Sequence, residues 1–134
     1  MGHSRSSQNI KHSLENYRAF VIDDEMILRE LIAANLKTNC NMTVVTSSSG
    51  RKALKTLAED DNYDVILLDL LMPGMSGQEV FSSLPSDLQK KVLFMTGDAS
   101  SHSLREFFNE SCQPVPFKPF KNSELVEAVA KIVI

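Results

Sequence analysis

The segment VILLDLLMPGMSG, residues 65–77, decides how the rest of the chain is interpreted. Four consecutive apolar residues lead into one carboxylate, Asp69, and then into a loop that contains a proline and two glycines. Such a run predicts a strand that is buried on both faces, because a strand with one solvated face would alternate apolar and polar residues. Asp69 therefore stands where a central strand ends.

An acid in this position has two explanations. Ligands of open α/β sheets bind beyond the carboxyl ends of the strands, so Asp69 is placed for chemistry. Aspartate is also common in turns, where its side chain only bonds to the nearby backbone. Asp69 alone does not distinguish the two explanations, and the other strand ends have to decide between them.

Length and composition are those of an ordinary globular domain. The 134 residues are 43% hydrophobic and 23% charged, enough for one domain with its own core. A net charge of −3 with scattered Lys and Arg argues against a nucleic-acid partner, and no apolar run has the length of a membrane span. Cys40 and Cys112 lie far apart with no metal-ligand spacing, which favours reduced thiols in a cytoplasmic protein over a disulfide.

The first residues differ from the rest in composition. Residues 1–16 are polar and rich in serine, and they show no apolar period. We expect residues 1–16 to be a flexible tail, in part the remnant of an expression tag, and residues 17–134 to form the folded domain.

Short apolar runs and helical spacings alternate along this domain. Strands are predicted over residues 18–22, 42–45, 64–68, 91–95 and 114–117, and helices over 25–37, from the serines at 47–49 to about 60, over 77–84, from Ser100 or Ser101, and from Ser123. Five strands that alternate with five helices predict a doubly wound, flavodoxin-like (βα)5 domain of the α/β class. Its parallel five-stranded sheet has the order 2-1-3-4-5, and the prolines place the fifth strand at an edge.

Five polar residues follow four of these strands. Asp23 and Asp24 follow the first strand, Asp69 the third, Thr96 the fourth and Lys118 the fifth. Each has a structural explanation, as a helix cap, a turn former or a solvated lysine, but all five lie at the same edge of a parallel sheet. Three carboxylates brought together repel one another unless a cation lies among them, and Mg²⁺ suits a site of few protein oxygens.

Such a site is suited to phosphoryl transfer. The Asp69 carboxylate can act as a nucleophile toward phosphorus. A transferring phosphoryl group carries its charge on three oxygens, and Mg²⁺, the Lys118 ammonium and the Thr96 hydroxyl can each meet one of them.

Four motifs carry a resemblance to a known family. They are FVIDDE at residues 20–25, the Asp69 segment with Pro73 and Gly77, FMTG at 94–97 and FKPF at 117–120. With them the chain resembles, from residue 19 to about 132, the receiver domain of two-component response regulators. The segments MTGD at residues 95–98 and PVPF at 114–117 are similar to those of receivers at the C-terminus of hybrid histidine kinases.

The resemblance implies a role for each residue. Asp69 would accept a phosphoryl group from a histidine of a histidine kinase or of a histidine phosphotransfer domain. Asp24, Asp69 and the backbone carbonyl of Leu71 would bind Mg²⁺ directly, and Asp23 mainly through water. Thr96 and Lys118 would contact the phosphoryl group and couple it to a partner-docking surface on the fourth helix, fifth strand and fifth helix. Catalysis beyond self-phosphotransfer and dephosphorylation is not expected.

One departure keeps an alternative open. Many receivers carry an aromatic residue three positions before the lysine, where this chain has Val115, so the chain could instead be a receiver-like binding module that acts independently of phosphorylation. A small hydrolase with an aspartyl-phosphate intermediate would need a general base, and His3, His12 and His102 are poorly placed for that role. Leu71 and Asp98, two residues beyond Asp69 and Thr96, border the path of attacking water and are expected to influence the lifetime of the phosphoryl group.

Overall fold

A computed structural model describes residues 12–95 and 121–134 of the chain. Within these residues the strands are β1 (Arg18–Ile22), β2 (Thr43–Ser47), β3 (Val65–Asp69) and β4 (Val92–Met95). The helices are α1 (Met26–Cys40), α2 (Gly50–Glu59), α3 (Gly77–Ser83), α4 (Ser86–Gln89) and α5 (Asn122–Val133). None of these helices is both long and apolar enough to cross a bilayer.

The four strands form one parallel sheet in the order β2-β1-β3-β4. This order is that of a flavodoxin-like fold and confirms the predicted arrangement of these strands. The fifth strand predicted at residues 114–117 and the helix predicted from Ser100 or Ser101 lie outside the described residues.

Side chains of β3 alternate between two apolar layers, one on each face of the sheet. Ile66 and Leu68 belong to the layer that α2 and α3 cover, whereas Val65 and Leu67 belong to the layer that α1 and α5 cover. All five residues of β3 are buried, as the apolar run predicted. Each fully buried aliphatic side chain contributes about 1.5–3 kcal/mol, so this strand anchors both layers.

Several predicted boundaries differ from the structure. Helix α1 ends at Cys40 rather than Lys37, because Asn41, with a φ of 57°, adopts the left-handed conformation that ends the helix. Strand β2 begins at Thr43 and continues to Ser47, because Ser47 still pairs with Ile22 of β1. The cap of α2 is Ser49, whose hydroxyl accepts a hydrogen bond from the Lys52 amide at 3.2 Å.

Two features were not predicted. Helix α4 follows Pro85, directly after the helix predicted over residues 77–84. Proline at a helix start needs no amide hydrogen, and the helix buries Leu88 against the α2 and α3 layer. Leu14, placed by the sequence in the tail, is fully buried in the α1 and α5 layer, so the packed core takes in this residue.

Candidate metal centre

The register between β1 and β3 places two carboxylates side by side. Ile22 of β1 is paired with Leu68 of β3, and the next residues along the two parallel strands are Asp23 and Asp69. Both acids therefore leave the sheet at its carboxyl edge, the edge at which α/β proteins bind ligands. Asp24 follows directly on the same corner. The sheet topology brings Asp69 together with Asp23 and Asp24, which are 46 and 45 residues away in sequence.

The three carboxylates form one cluster. Asp23, Asp24 and Asp69 each offer an oxygen within 4.8 Å of the other two. Asp23 is fully buried, Asp69 is 3% exposed, and Asp24 is exposed. Two of the acids thus form the floor of the cluster and the third borders solvent.

The donor set fits a small divalent cation. Carboxylate oxygens are hard ligands of the kind that Mg²⁺ prefers, at about 2.1 Å each, so ligands on opposite sides of one ion are roughly 4.2 Å apart. The observed spread of 4.8 Å exceeds this value by an amount that a small side-chain rotation can close. Three negative charges this close also favour a cation over any neutral ligand.

Hydrogen bonds hold the corner between β1 and α1. The Asp23 amide donates to the Ser47 carbonyl at 3.1 Å and so extends the pairing of β1 with β2. The Asp23 carboxylate accepts a hydrogen bond from the Glu25 amide at 2.9 Å, and the Asp23 carbonyl accepts one from the Arg29 guanidinium at 2.8 Å. Asp23 is therefore bound through its backbone and its side chain at once.

The loop after β3 is equally well defined. The Asp69 carboxylate accepts a hydrogen bond from the Leu71 amide at 3.2 Å, and the Gly77 amide donates to the Leu70 carbonyl at 3.1 Å. Between them Gly74 has a φ of 80°, a conformation that glycine adopts without steric cost. Leu70 is buried and Leu71 is 53% exposed, so the loop anchors itself on one leucine and presents the next to solvent beside the acids.

Helix α3 is aligned with this loop by a capping box. The Ser76 hydroxyl accepts a hydrogen bond from the Glu79 amide at 3.2 Å, and the Glu79 carboxylate accepts one from the Ser76 amide at 3.0 Å. The helix then begins at Gly77, directly against the end of β3. Close packing against the end of β3 therefore requires glycine at position 77, in addition to the loop that the sequence predicts there.

Part of the predicted site falls within the described residues. The structure brings Asp23, Asp24 and Asp69 together as predicted, and it places the Leu71 amide against Asp69. The Leu71 carbonyl as a metal ligand stays a prediction. Thr96 and Lys118 lie outside the described residues, as do Val115 and Asp98.

Two contacts of the site are not predicted by the sequence. Ser47 was considered only as a candidate helix cap, and Arg29 was not considered at all. No spacing marks Arg29, because its contact depends on a long side chain that reaches back past the start of α1 to Asp23. The signal available for Ser47 was its position at the end of a strand that pairs with β1.

Comparison with protein families gives a match over most of the chain. Residues 19–130 match the model of the response regulator receiver domain. The heme response regulator HssR of Staphylococcus aureus is 31% identical over 117 residues, which cover 87% of this chain and 51% of that protein. The uncharacterized transcriptional regulatory protein YrkP of Bacillus subtilis is 28% identical, over 81% of this chain and 46% of that protein. The chain thus spans about half the length of these two curated relatives.

Solved structures show the same fold. A response regulator receiver domain protein from Clostridium thermocellum superimposes with a TM-score of 0.77 at 24% identity, over 87% of this chain and 94% of that one. At this identity the likeness shows the fold alone.

Proposed function

The chain belongs to the response regulator receiver domain family, and on that premise we propose that Asp69 is its phosphoacceptor. Receiver domains are phosphoacceptor signalling modules of two-component systems, and this chain is one of them. The single observation that supports Asp69 as the acceptor is its place in the acid cluster. It is the cluster member that ends the central strand, next to two acids from the neighbouring strand.

The reaction assigned to Asp69 is a group transfer. One oxygen of the Asp69 carboxylate forms a bond to phosphorus, while the bond between phosphorus and the donor's imidazole nitrogen breaks and its electron pair returns to the ring. The Leu71 amide donates a hydrogen bond of 3.2 Å to the Asp69 carboxylate and so helps to hold this carboxylate in place. Burial of Asp69 limits the directions from which a donor can approach.

Mg²⁺ bound by Asp23, Asp24 and Asp69 would neutralise charge on the phosphoryl oxygens. In this proposal Asp24 and Asp69 are direct ligands together with the Leu71 carbonyl, and Asp23 acts mainly through water. Thr96 and Lys118 are proposed to contact the phosphoryl group. The new charge would then bias the partner-docking surface between two states.

Exposed apolar side chains support a protein as the phosphodonor. Met26, Ile27 and Leu31 of α1 are 64%, 73% and 62% exposed, and α1 begins two residues after Asp24. Leu71, whose amide bonds to Asp69, is also exposed. Apolar side chains that border a polar site are a common feature of protein interfaces. We therefore propose that a histidine kinase or a histidine phosphotransfer domain docks across α1.

Incubation with Mg²⁺ and acetyl phosphate tests the acceptor assignment. The intact mass of the wild-type chain should increase by one phosphoryl group, and that of Asp69→Asn should not. Asp64→Asn is the matched control, because Asp64 lies just before β3, at the opposite end of the strand, where its carboxylate accepts a hydrogen bond from the Arg18 amide. Equal phosphorylation of wild type and Asp69→Asn would exclude Asp69 as the acceptor.

A further inference from the structure

Arg29 is a cationic side chain that contacts the metal centre without belonging to the acid cluster. It lies on α1 and is half-buried. Its Nη1 atom donates a hydrogen bond of 2.8 Å to the backbone carbonyl of Asp23. The guanidinium therefore binds the corner between β1 and α1 from the helix side.

Asp23 also forms hydrogen bonds with backbone groups of Ser47 and Glu25. These bonds fix the Asp23 amide and the Asp23 carboxylate, whereas the bond from Arg29 fixes the Asp23 carbonyl. Arg29 thus holds the peptide that links Asp23 to Asp24. Among the described residues no hydrogen bond holds the exposed Asp24 side chain, so its direction depends on the orientation of this peptide.

We propose that Arg29 is a positioning residue for the metal centre: by holding the Asp23 carbonyl, it orients the carboxylates of Asp23 and Asp24 toward the cation. This inference rests on the proposed function, in which these acids bind Mg²⁺. Arg29 touches neither the cation nor the phosphoryl group in this role. It acts through the backbone of Asp23.

The direction in which Mg²⁺ affinity changes on loss of Arg29 distinguishes a positioning role from an effect of its charge. A guanidinium bonded to the Asp23 backbone repels a cation bound by the neighbouring carboxylates, so Coulomb's law alone predicts that loss of Arg29 tightens Mg²⁺ binding. Positioning predicts the opposite, because carboxylates without an oriented backbone must be ordered when the cation binds. Groups that orient metal ligands typically change metal affinity by about 10- to 100-fold.

Mg²⁺ titration calorimetry on the whole chain tests the proposal. Arg29→Gln should raise the Kd for Mg²⁺ by about tenfold or more, whereas Arg29→Lys, which keeps a donor, should stay within about threefold of wild type. Arg51→Gln is the matched control for loss of one positive charge, because Arg51 is exposed on α2, and its Kd should equal that of wild type. Urea unfolding of the same proteins without metal measures separately how much each substitution lowers the free energy of unfolding.

Two results would overturn the inference. One is an Arg29→Gln variant that binds Mg²⁺ as tightly as wild type or more tightly, and the other is an Arg29→Lys variant that loses as much affinity as Arg29→Gln. If Arg29→Gln unfolds in buffer, all four proteins are titrated in sucrose, which favours the folded state. A wild-type chain that binds no Mg²⁺ would instead contradict the proposed function, so the two failures are distinguishable.

Discussion

Gly77 packs so closely against the end of β3 that a Cβ atom on it would overlap the backbone carbonyl oxygen of Asp69. The same atom would lie 2.7 Å from the Cα of Leu70. Both neighbours are backbone, so relief would require the strand end or helix α3 to move. The proposed acceptor and the start of α3 are therefore in direct steric contact through a residue that has no side chain.

We expect Gly77→Ala to lower the free energy of unfolding by about 1–3 kcal/mol, because the overlap forces a backbone shift. Gly74→Ala should cost less, about 1 kcal/mol, because only its positive φ opposes a side chain and no atom lies within 4 Å of the added Cβ. Urea unfolding of the three proteins measures both differences. A Gly77→Ala variant that is no less stable than Gly74→Ala would refute the tight contact.

Asp24→Asn should remove metal-linked stability without harming the fold. Asp24 is exposed, so the free energy of unfolding without metal should change by no more than about 0.5 kcal/mol. Mg²⁺ at 100 times its Kd should stabilise wild type by about 2.7 kcal/mol and the variant by much less. Urea unfolding with Mg²⁺ and with EDTA provides the comparison.

Glu30→Gln is the control for that experiment, since Glu30 is an exposed acid on α1 outside the cluster. It should respond to Mg²⁺ as wild type does. Equal stabilisation of wild type and Asp24→Asn would remove Asp24 from the ligand set.

Ile27→Asn should slow phosphotransfer from a protein donor by about tenfold, because it places an amide in the proposed docking surface, where loss of an apolar anchor costs more than about 1 kcal/mol. Phosphorylation by acetyl phosphate should not change, since this donor needs no docking. The readout is the rate of phosphoryl transfer from a histidine phosphotransfer protein that phosphorylates wild type. Thr38→Asn, an exposed substitution at the far end of α1, is the control. Equal slowing with both donors would point to a damaged site instead of lost docking.

Leu71→Asn should shorten the lifetime of the phosphorylated state several-fold. The exposed Leu71 side chain lies beside Asp69, where an apolar group excludes water and an amide admits it. The measurement is the decay of the phosphorylated mass after acetyl phosphate is removed. Ile134→Asn, an equally exposed apolar position at the C-terminus, should decay as wild type does. An unchanged lifetime in Leu71→Asn would exclude a role in water access.

Tyr63 should ionise at a higher pH than an ordinary tyrosine. Burial raises its pKa above 10.0, its ring stacks on Phe20 with centroids 5.0 Å apart, and the Arg18 guanidinium lies over the ring at 4.5 Å from its centroid. Because the folded pKa is the higher one, the contribution of the neutral form to stability is complete below pH 10 and is lost as the pH rises through the folded pKa. Tyrosinate absorbance should show a late component that Tyr63→Phe lacks. A Tyr63→Phe variant with the same titration curve as wild type would contradict the raised pKa of Tyr63.

The sequence predicted the parts of the molecule that local pattern determines. The apolar run before Asp69 marks a strand buried on both faces, and parallel topology then places Asp23 and Asp24 beside it. The predicted end of α1 was wrong. Asn39 and Asn41 are equally good signals for the end of a helix, and only tertiary packing of Cys40 and Met42 selects Asn41. Arg29 could not be predicted, because the reach of a long side chain has no periodicity.

The pairing of Ile22 with Leu68 has one more consequence, for the evolution of the chain. Neighbouring strand residues point to opposite faces of a sheet. Gain or loss of a single residue within β1 or β3 would therefore turn Asp23 or Asp69 away from the acid cluster and toward one of the helix layers. Substitutions that keep these strands apolar therefore preserve the acid cluster, whereas insertions and deletions within the strands disrupt it. Length variation among related chains should therefore fall outside β1 and β3.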